Sequence, residues 1–224
     1  MIEELKSVFA LPLSRISRPI VVNSFGRSGS TVLTDAIVDS ALRVPGLGRQ
    51  RVRANAWDLR TSRLMKHRCY KTHDYPPNTI EGDPLIVYVF GDPVDAAVSV
   101  MDKAASAGPE WFAEHCDHLR VKPFNASDLA TRDALRVAEH LEAWLSVDHA
   151  DIAFIRYESM WDHEAELTSF LGFTIKLPRR RPRLSNTDEA TAGALRKTYG
   201  TAIELVASLP DWMQKDRSIG GTAR

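Results

Sequence analysis

The sequence predicts an α/β/α fold in which a central parallel sheet of about four to five strands lies between two layers of helices. Apolar runs typical of strands alternate along the chain with segments of helical periodicity, the pattern of a parallel sheet covered on both faces. The run Leu85–Phe90 is apolar throughout, as expected of a strand buried on both faces. The 224 residues are enough for one large α/β domain.

The first strand and helix enclose the most informative turn of the chain. Ile20–Asn23 is an apolar run of strand type, and the helix that follows carries Leu33, Ala36 and Ile37 on one face. The Gly/Ser turn between them holds one cation, Arg27. A strand, small-residue turn and helix in this order can cradle an anion, because the backbone N–H groups converge and the helix N-terminus adds positive charge. An ordinary tight turn is the alternative.

This turn is not a Walker A loop, which requires Gly, four residues and then Gly-Lys-Ser/Thr. Gly26 and Gly29 are only three residues apart, and no lysine follows Gly29. The cation, Arg27, precedes the second glycine instead.

The later elements follow from strand-type runs, apolar periodicity and capping residues. Asp92 can cap a helix that has Pro93 at its first position, and Gly172 can end another helix. The remaining expected elements are strands at 68–72 and 152–157, helices at 57–67, 93–105, 127–147, 164–171 and 188–209, and loops at 45–56 and after Gly108-Pro109.

Composition excludes several classes of protein. The formal net charge is zero, so no bulk attraction to nucleic acid or to an anionic membrane is implied. Cys69 and Cys116 are too few for a disulfide framework, which suits a reducing compartment. The N-terminus has acids where a signal peptide has bases, and no run reaches the ~18 apolar residues of a membrane span. We therefore expect a cytoplasmic protein.

The segment Lys71-Thr72-His73 follows a predicted strand and suggests chemistry. A histidine at that position can take a proton from a hydroxyl near neutral pH. A capping or structural histidine is the alternative. The neighbouring Lys71 and the anion-type turn upstream favour the catalytic interpretation.

Four segments, in order, resemble the sulfotransferase family that uses 3′-phosphoadenosine 5′-phosphosulfate (PAPS). Residues 26–31 resemble its 5′-phosphosulfate loop, and 70–73 resemble the Lys-Thr-His of the cytosolic members. Residues 87–99 resemble its 3′-phosphate segment, and 156–160 resemble its Arg-Tyr-Glu-Asp-Leu strand end. The match spans roughly 20–173. The chain is therefore similar to a compact, bacterial-type member with a P-loop-type fold.

The resemblance implies transfer of a sulfuryl group from PAPS to a hydroxyl acceptor, leaving the product PAP and requiring no metal. Arg27 would hold the bridging and sulfuryl oxygens, Lys71 would help to neutralise the sulfuryl group, and His73 would deprotonate the acceptor. Ser99 would contact the 3′-phosphate, and Tyr157 would lie near the adenine. The other residues implied in donor binding are Gly26, Ser28, Gly29, Ser30 and Thr31.

Two positions depart from the family pattern. Gly91 stands where the arginine that binds the 3′-phosphate is expected, and Val32 replaces a tryptophan that stacks on adenine. A hydrogen bond to a charged group contributes roughly 1.5–3 kcal/mol, so another cation is needed for ordinary donor affinity. The candidates are Arg120, the pair Arg196–Lys197 and, as the favoured hypothesis, the basic loop Arg179–Arg183.

Two other functions stay open. One is a P-loop small-molecule kinase, which would need Mg²⁺ and usually a lysine after the second glycine. The other is a non-catalytic relative that binds PAP or another nucleotide, suggested by Gly91. A metal site at 115–118 (His-Cys-Asp-His) is not favoured, because the ligands lack the usual spacing.

The chain is expected to divide into an N-terminal arm (1–17), a donor-binding core (18–173) and a C-terminal basic loop with a helix (174–224), within one domain. The acceptor is expected to be a small-molecule, carbohydrate or lipid hydroxyl. The residues that could line its pocket are Tyr75, Trp111 and Phe112.

Overall fold

Six strands form one sheet at the centre of the computed structural model, which describes residues 14–45, 47–122, 124–180 and 187–217. The strands are β1 (Ile20–Asn23), β2 (Arg53–Asn55), β3 (Cys69–Lys71), β4 (Leu85–Phe90), β5 (Asp151–Arg156) and β6 (Trp212–Lys215). Their order across the sheet is β2-β3-β1-β4-β5-β6.

The sheet is parallel except at one edge. Strands β1 to β5 pair in parallel, which confirms the predicted fold class, whereas β6 runs antiparallel to β5. The expected four to five strands were therefore too few, because β2 and β6 were missed. β2 is only three residues long and has the sequence Arg-Ala-Asn, which carries no apolar strand signal. β6 is a short, partly exposed edge strand.

Helices cover both faces of the sheet. The α-helices are α1 (Ser30–Ala41), α2 (Arg49–Val52), α3 (Pro93–Ala107), α4 (Pro109–His118), α5 (Val137–Leu145), α6 (Glu164–Leu171), α7 (Glu189–Thr198) and α8 (Gly200–Ser208). Two 3₁₀ helices span Ala126–Ala130 and Tyr157–His163. Helices α3, α4, α5, α7 and α8 contribute to the core on one face, and α1 and α6 to the core on the other.

The continuous apolar strands supply both cores because their side chains alternate between the two faces. In β4, Ile86 and Tyr88 belong to one core, whereas Val87 and Val89 belong to the other. All four side chains are fully buried. The three-layer arrangement is thus fixed by strands that are apolar at every position.

The predicted capping signals are confirmed at two helix ends. The Asp92 carboxylate accepts hydrogen bonds from the N–H groups of Val94 and Asp95, with Pro93 at the first helical position of α3. Gly172 ends α6 in the left-handed conformation, with φ of 77°. These local signals set where α3 and α6 begin and end.

Several helix predictions were wrong. Residues 57–67 form turns, because the Asp58 carboxylate accepts the Arg60 N–H and so competes with a helix. The predicted helix at 127–147 is split into a 3₁₀ helix and α5, where the Asp133 carboxylate accepts the Val137 N–H. The last helix, 188–209, is broken at the buried Tyr199 into α7 and α8.

Helix α4 was missed because its Gly108-Pro109 start was interpreted as a loop, although proline is favoured at the first helical position. Most of the expected N-terminal arm (residues 1–13) and the residues Arg181 and Arg183 of the basic loop lie outside the described residues. No helix in the described part of the chain combines the length and apolar character needed to cross a bilayer.

Two glycines allow a test of backbone conformation without a packing change. A Cβ atom at Gly193 in α7 or at Gly172 would meet nothing within 4 Å, but only Gly172 has a positive φ. We expect Gly193→Ala to raise the free energy of unfolding by about 0.5–1 kcal/mol. Gly172→Ala should lower it by about 1 kcal/mol. Thermal and denaturant unfolding measure both values, and a loss of stability in Gly193→Ala would contradict the expectation.

Candidate active site

A cavity of about 410 Å³ lies at the carboxyl ends of the parallel strands. Residues from the segments that follow β1 to β5 meet there, because parallel strands end at the same edge of a sheet. The cavity gathers most of the residues predicted for the site and several that were not. Its lining residues are Arg27, Gly29, Ser30, Thr31, Val32, Trp57, Lys71, His73, Ser99, Trp111, Glu114, His115, His118 and Tyr157.

The loop between β1 and α1, residues 24–29, is here named the anion loop. Gly26, Arg27 and Gly29 all have positive φ values, of 93°, 55° and 92°. The Ser24 hydroxyl accepts the N–H of Gly26 at 3.2 Å. The Ser28 hydroxyl donates to the Gly26 carbonyl at 3.0 Å and is buried, so it closes the loop and does not line the cavity.

Gly29 is required by the close approach of Tyr157. A Cβ atom at Gly29 would lie 2.0 Å from Cδ2 of the Tyr157 ring, and its φ also favours glycine. Gly29 is the N-cap residue, directly before the first residue of α1. The Tyr157 ring therefore lies directly on the start of the helix that the anion loop leads into.

Arg27 and Ser99 are brought into contact across the cavity. The Arg27 Nε donates a hydrogen bond to the Ser99 hydroxyl at 3.0 Å. Ser99 lies in α3, two turns after the Asp92 cap. The anion loop and α3, which are 72 residues apart, are thus joined by two residues that the sequence assigned to opposite ends of one donor.

His73 is held as a neutral ring in one tautomer. It is 5% exposed, and its Nδ1 lies 2.9 Å from the Ser24 carbonyl oxygen. Because a carbonyl can only accept, Nδ1 carries the hydrogen and Nε2 keeps a lone pair. Burial, and to a lesser degree the charge of Lys71, lowers the pKa of His73 well below its ordinary value. The ring is therefore in the protonation state that a general base requires.

The side chain of Asp74 fixes the chain directly after His73. Its buried carboxylate pairs with the Arg120 guanidinium at 2.6 Å. The carboxylate also accepts the backbone N–H groups of Leu59 and Tyr75, both at 2.8 Å. Arg120, one candidate for the missing 3′-phosphate charge, is therefore engaged at this carboxylate.

The backbone carbonyl of Asp74 accepts three more hydrogen bonds. They come from the Asn23 amide at 3.0 Å, the His140 Nε2 at 3.1 Å and the Trp144 indole at 2.9 Å. The ends of β1 and β3 and helix α5 are thereby tied to one peptide group. This network determines where the His73 ring can lie.

Lys71 is a cation in a partly buried position at the end of β3. Its Nζ lies 5.7 Å from the ring centre of Trp57. Burial, followed by the charges of Arg53 and Arg27, lowers the pKa of Lys71 to about 8. The ammonium is therefore mainly charged at neutral pH but loses its proton just above it.

Two pairs of stacked rings flank His73, and of their four residues only Trp111 was predicted for the site. The Trp57 indole stacks on the His118 ring at 3.9 Å, and the Trp111 indole stacks on His115 at 5.1 Å. Of the three predicted acceptor residues, only Trp111 lines the cavity. Phe112 packs against Phe124 and Tyr75 against His140. No pattern in the sequence indicated that Trp57 and His118 lie close to His73.

At the position of the missing arginine the structure has a carboxylate. A Cβ atom at Gly91 would lie 2.8 Å from Oε1 of Glu158, which accepts the Asp92 N–H at 3.1 Å. The buried Oε2 of Glu158 has no hydrogen-bond partner among the described residues. This carboxylate opposes the binding of a phosphate near Gly91.

A second groove, of about 520 Å³, adjoins the cavity and shares Val32 and Tyr157 with it. Trp161 lines this groove, together with Lys176 and Arg179. The Arg180 guanidinium lies 5.6 Å from the Trp161 ring centre. The described part of the basic loop is thus close to Tyr157.

No cluster of three or more histidine, cysteine or carboxylate side chains suited to a metal ion occurs among the residues that the structure describes. The segment 115–118 does not form such a cluster, and its Cys116 thiol is buried in the core.

No protein-family model matches the sequence, and no curated protein matches it. A similar solved structure is that of mouse sulfotransferase SULT7A1 complexed with PAP, at 19% sequence identity. The match covers 90% of this chain and 71% of that chain, with a TM-score of 0.41. The roles of individual residues therefore rest on the geometry of this chain.

The lowered pKa of Lys71 makes anion binding depend on pH. An anion bound beside Lys71 favours the charged lysine, so the affinity for an anionic ligand such as inorganic sulfate should be nearly constant up to about pH 7. It should then weaken, approaching tenfold per pH unit, as the lysine of the unliganded chain loses its proton. Calorimetric titration at several pH values measures this. Lys71→Arg keeps its charge and should remove the dependence; an unchanged pH profile in that variant would contradict the assignment.

Proposed function

We propose that this chain is a sulfotransferase that moves a sulfuryl group from PAPS to a hydroxyl acceptor. The observation that carries the proposal is the neutral His73 ring, held through Nδ1, in a cavity that also contains Arg27, Lys71 and the start of α1. A base and two cations beside an anion loop are the groups that in-line sulfuryl transfer needs.

In the proposed step, Nε2 of His73 takes the proton of the acceptor hydroxyl. The acceptor oxygen forms a new bond to sulfur as the bond from sulfur to the 5′-phosphate oxygen breaks, and PAP leaves with the electron pair. Sulfuryl transfer passes through a loose transition state like that of phosphoryl transfer, so charge builds on the leaving oxygen. Arg27 and Lys71 stabilise that charge.

The donor itself prepares the base for this step. The charge of Lys71 contributes to the low pKa of His73, and a bound anion offsets such a charge. The pKa of both side chains therefore rises when PAPS binds, which makes His73 a stronger base in the complex. Because its own pKa also rises, Lys71 remains charged at neutral pH in the complex.

The rest of the donor is assigned to the neighbouring elements. The N–H groups of 28–31, at the start of α1, bind the 5′-phosphate. Tyr157 lies beside the nucleoside, with Ser99 directed at the 3′-phosphate. The groove next to Tyr157 contains Arg179, in keeping with the hypothesis that the basic loop supplies the charge missing at Gly91.

A second candidate function is binding of PAP or another nucleotide without catalysis. Gly91 and the Glu158 carboxylate, whose Oε2 has no hydrogen-bond partner among the described residues, favour it because both weaken the binding of a 3′-phosphate. A third candidate, a small-molecule kinase, differs in requiring Mg-ATP. The acceptor in the sulfotransferase proposal is a small-molecule, carbohydrate or lipid hydroxyl, and the proposed compartment is the cytoplasm.

Calorimetric titration tests the donor assignment. We expect PAP to bind in the micromolar range without metal and to bind more tightly than ADP. Unless the basic loop supplies the missing charge, the margin of PAP over adenosine 5′-phosphate should be smaller than the ~10–100-fold that a phosphate–arginine hydrogen bond contributes. Gly91→Arg should widen it, because the new guanidinium can pair with Glu158 and reach the phosphate. A preference for Mg-ATP would favour the kinase instead.

Replacing the proposed base separates catalysis from binding. His73→Ala should lower turnover by about 100-fold or more, because general-base catalysis of this kind contributes 10²–10⁴-fold. The affinity for PAP should change little, since the ring faces the acceptor. Sulfuryl transfer to a panel of hydroxyl acceptors measures the first effect and calorimetry the second. Full activity in His73→Ala would exclude the assignment.

A further inference from the structure

The His115 ring is a buried polar group that the mechanism above does not use. It lies on α4, is 5% exposed and lines the cavity. Its Nε2 has no hydrogen-bond partner in the ranges that the structure describes. Leaving a buried nitrogen without a partner costs free energy, so such a nitrogen on a residue that lines a cavity suggests a partner supplied by a ligand.

The His115 ring is packed between Trp111 and Gly26. The Trp111 indole stacks on it at 5.1 Å with an interplanar angle of 11°. Gly26 of the anion loop lies on another side, where a Cβ atom would be 2.7 Å from Cε1 and 3.2 Å from Nε2 of His115. Only a glycine at this position lets the imidazole lie directly on the loop.

The surroundings of the ring are those of an anion site. The centre of the His115 ring is 6.2 Å from that of His73. Burial, followed by the charge of Arg27, lowers the pKa of His115 to about 4. The neutral ring offers one N–H group and adds no positive charge to a cavity that already holds Arg27 and Lys71.

We propose, on the basis of the proposed function, that Nε2 of His115 donates a hydrogen bond to an oxygen of the transferred sulfuryl group. His115 is then a further catalytic residue. The position of the ring favours the sulfuryl group over the 5′-phosphate. The ring contacts Gly26, next to Arg27 and on the side of His73, whereas the 5′-phosphate is assigned to the N–H groups of 28–31.

Comparing PAPS with PAP isolates this contact, because only PAPS carries the sulfuryl group. Calorimetry without acceptor gives both dissociation constants. His115→Phe keeps the stack on Trp111 but has no N–H, and should lower the affinity for PAPS about tenfold or more while changing that for PAP less than about twofold. His149→Phe is the matched control. His149 is exposed and lies just before β5, at the end of the strands away from the cavity. Its replacement should change neither dissociation constant.

A pair of amide variants keeps the test independent of the phenylalanine variant. The amide nitrogen of His115→Gln can reach the position of Nε2, whereas that of His115→Asn reaches only the position of Nδ1. We expect Gln to retain most of the preference for PAPS and Asn to lose it. His115→Phe should also melt no lower than the wild type, because it removes an unpartnered polar atom; a purely structural role would lower its melting temperature.

The outcomes separate the two proposals. If the wild type binds both PAPS and PAP but the His115 variants weaken both equally, or neither, the role of His115 is overturned and the proposed function stands. If the wild type binds neither nucleotide, the proposed function is overturned, and the role of His115 with it. If His115→Phe and His115→Asn lose affinity for PAPS alone, and His115→Gln retains it, both proposals are supported.

Discussion

The buried carboxylate of Asp74 is the fixed point on which the site depends. A carboxylate removed from water must be paired, because a buried charge without a partner is strongly destabilising. Its bonds to Arg120, Leu59 and Tyr75 satisfy it, and they hold the segment after β3 in one conformation. The peptide carbonyl of Asp74 adds the end of β1 and helix α5 to the same network. The preceding residue, His73, has its position set by groups that take no part in chemistry.

The electrostatics of the cavity follow from burying cations and imidazoles together. Desolvation is the largest cause of the lowered pKa values of Lys71, His73 and His115, and neighbouring positive charge adds to it. An anion relieves the repulsion that the folded chain has to accept in its absence. The opposite situation holds beside Gly91, where the Glu158 carboxylate disfavours an anion. We therefore expect anion affinity to be concentrated at the anion loop, on the sulfuryl side of the proposed donor.

How much the sequence predicted depends on how local each signal is. The anion loop, the ends of β1 and β4 and the Asp92 cap were predictable, because each follows from a few neighbouring residues. Helix α4 was not, since its Gly-Pro start resembles a loop, and with it the position of His115 was missed. The position of His115 depends on packing against Gly26, about 90 residues earlier in the chain, and no local pattern reports such a contact. The edge strands β2 and β6 are short and partly exposed, so they lack the apolar run by which a buried strand is recognised.

The hydrogen bond between Arg27 and Ser99 leaves both residues able to bind a ligand. Only the Nε–H of Arg27 is used in it, and the guanidinium carries further N–H groups that can donate to other acceptors. Ser99 accepts the bond and keeps its own hydroxyl hydrogen for donation. The two side chains therefore hold each other in place before any ligand arrives. In the proposed donor complex, the entropy cost of ordering these two side chains would already be met in the unliganded chain.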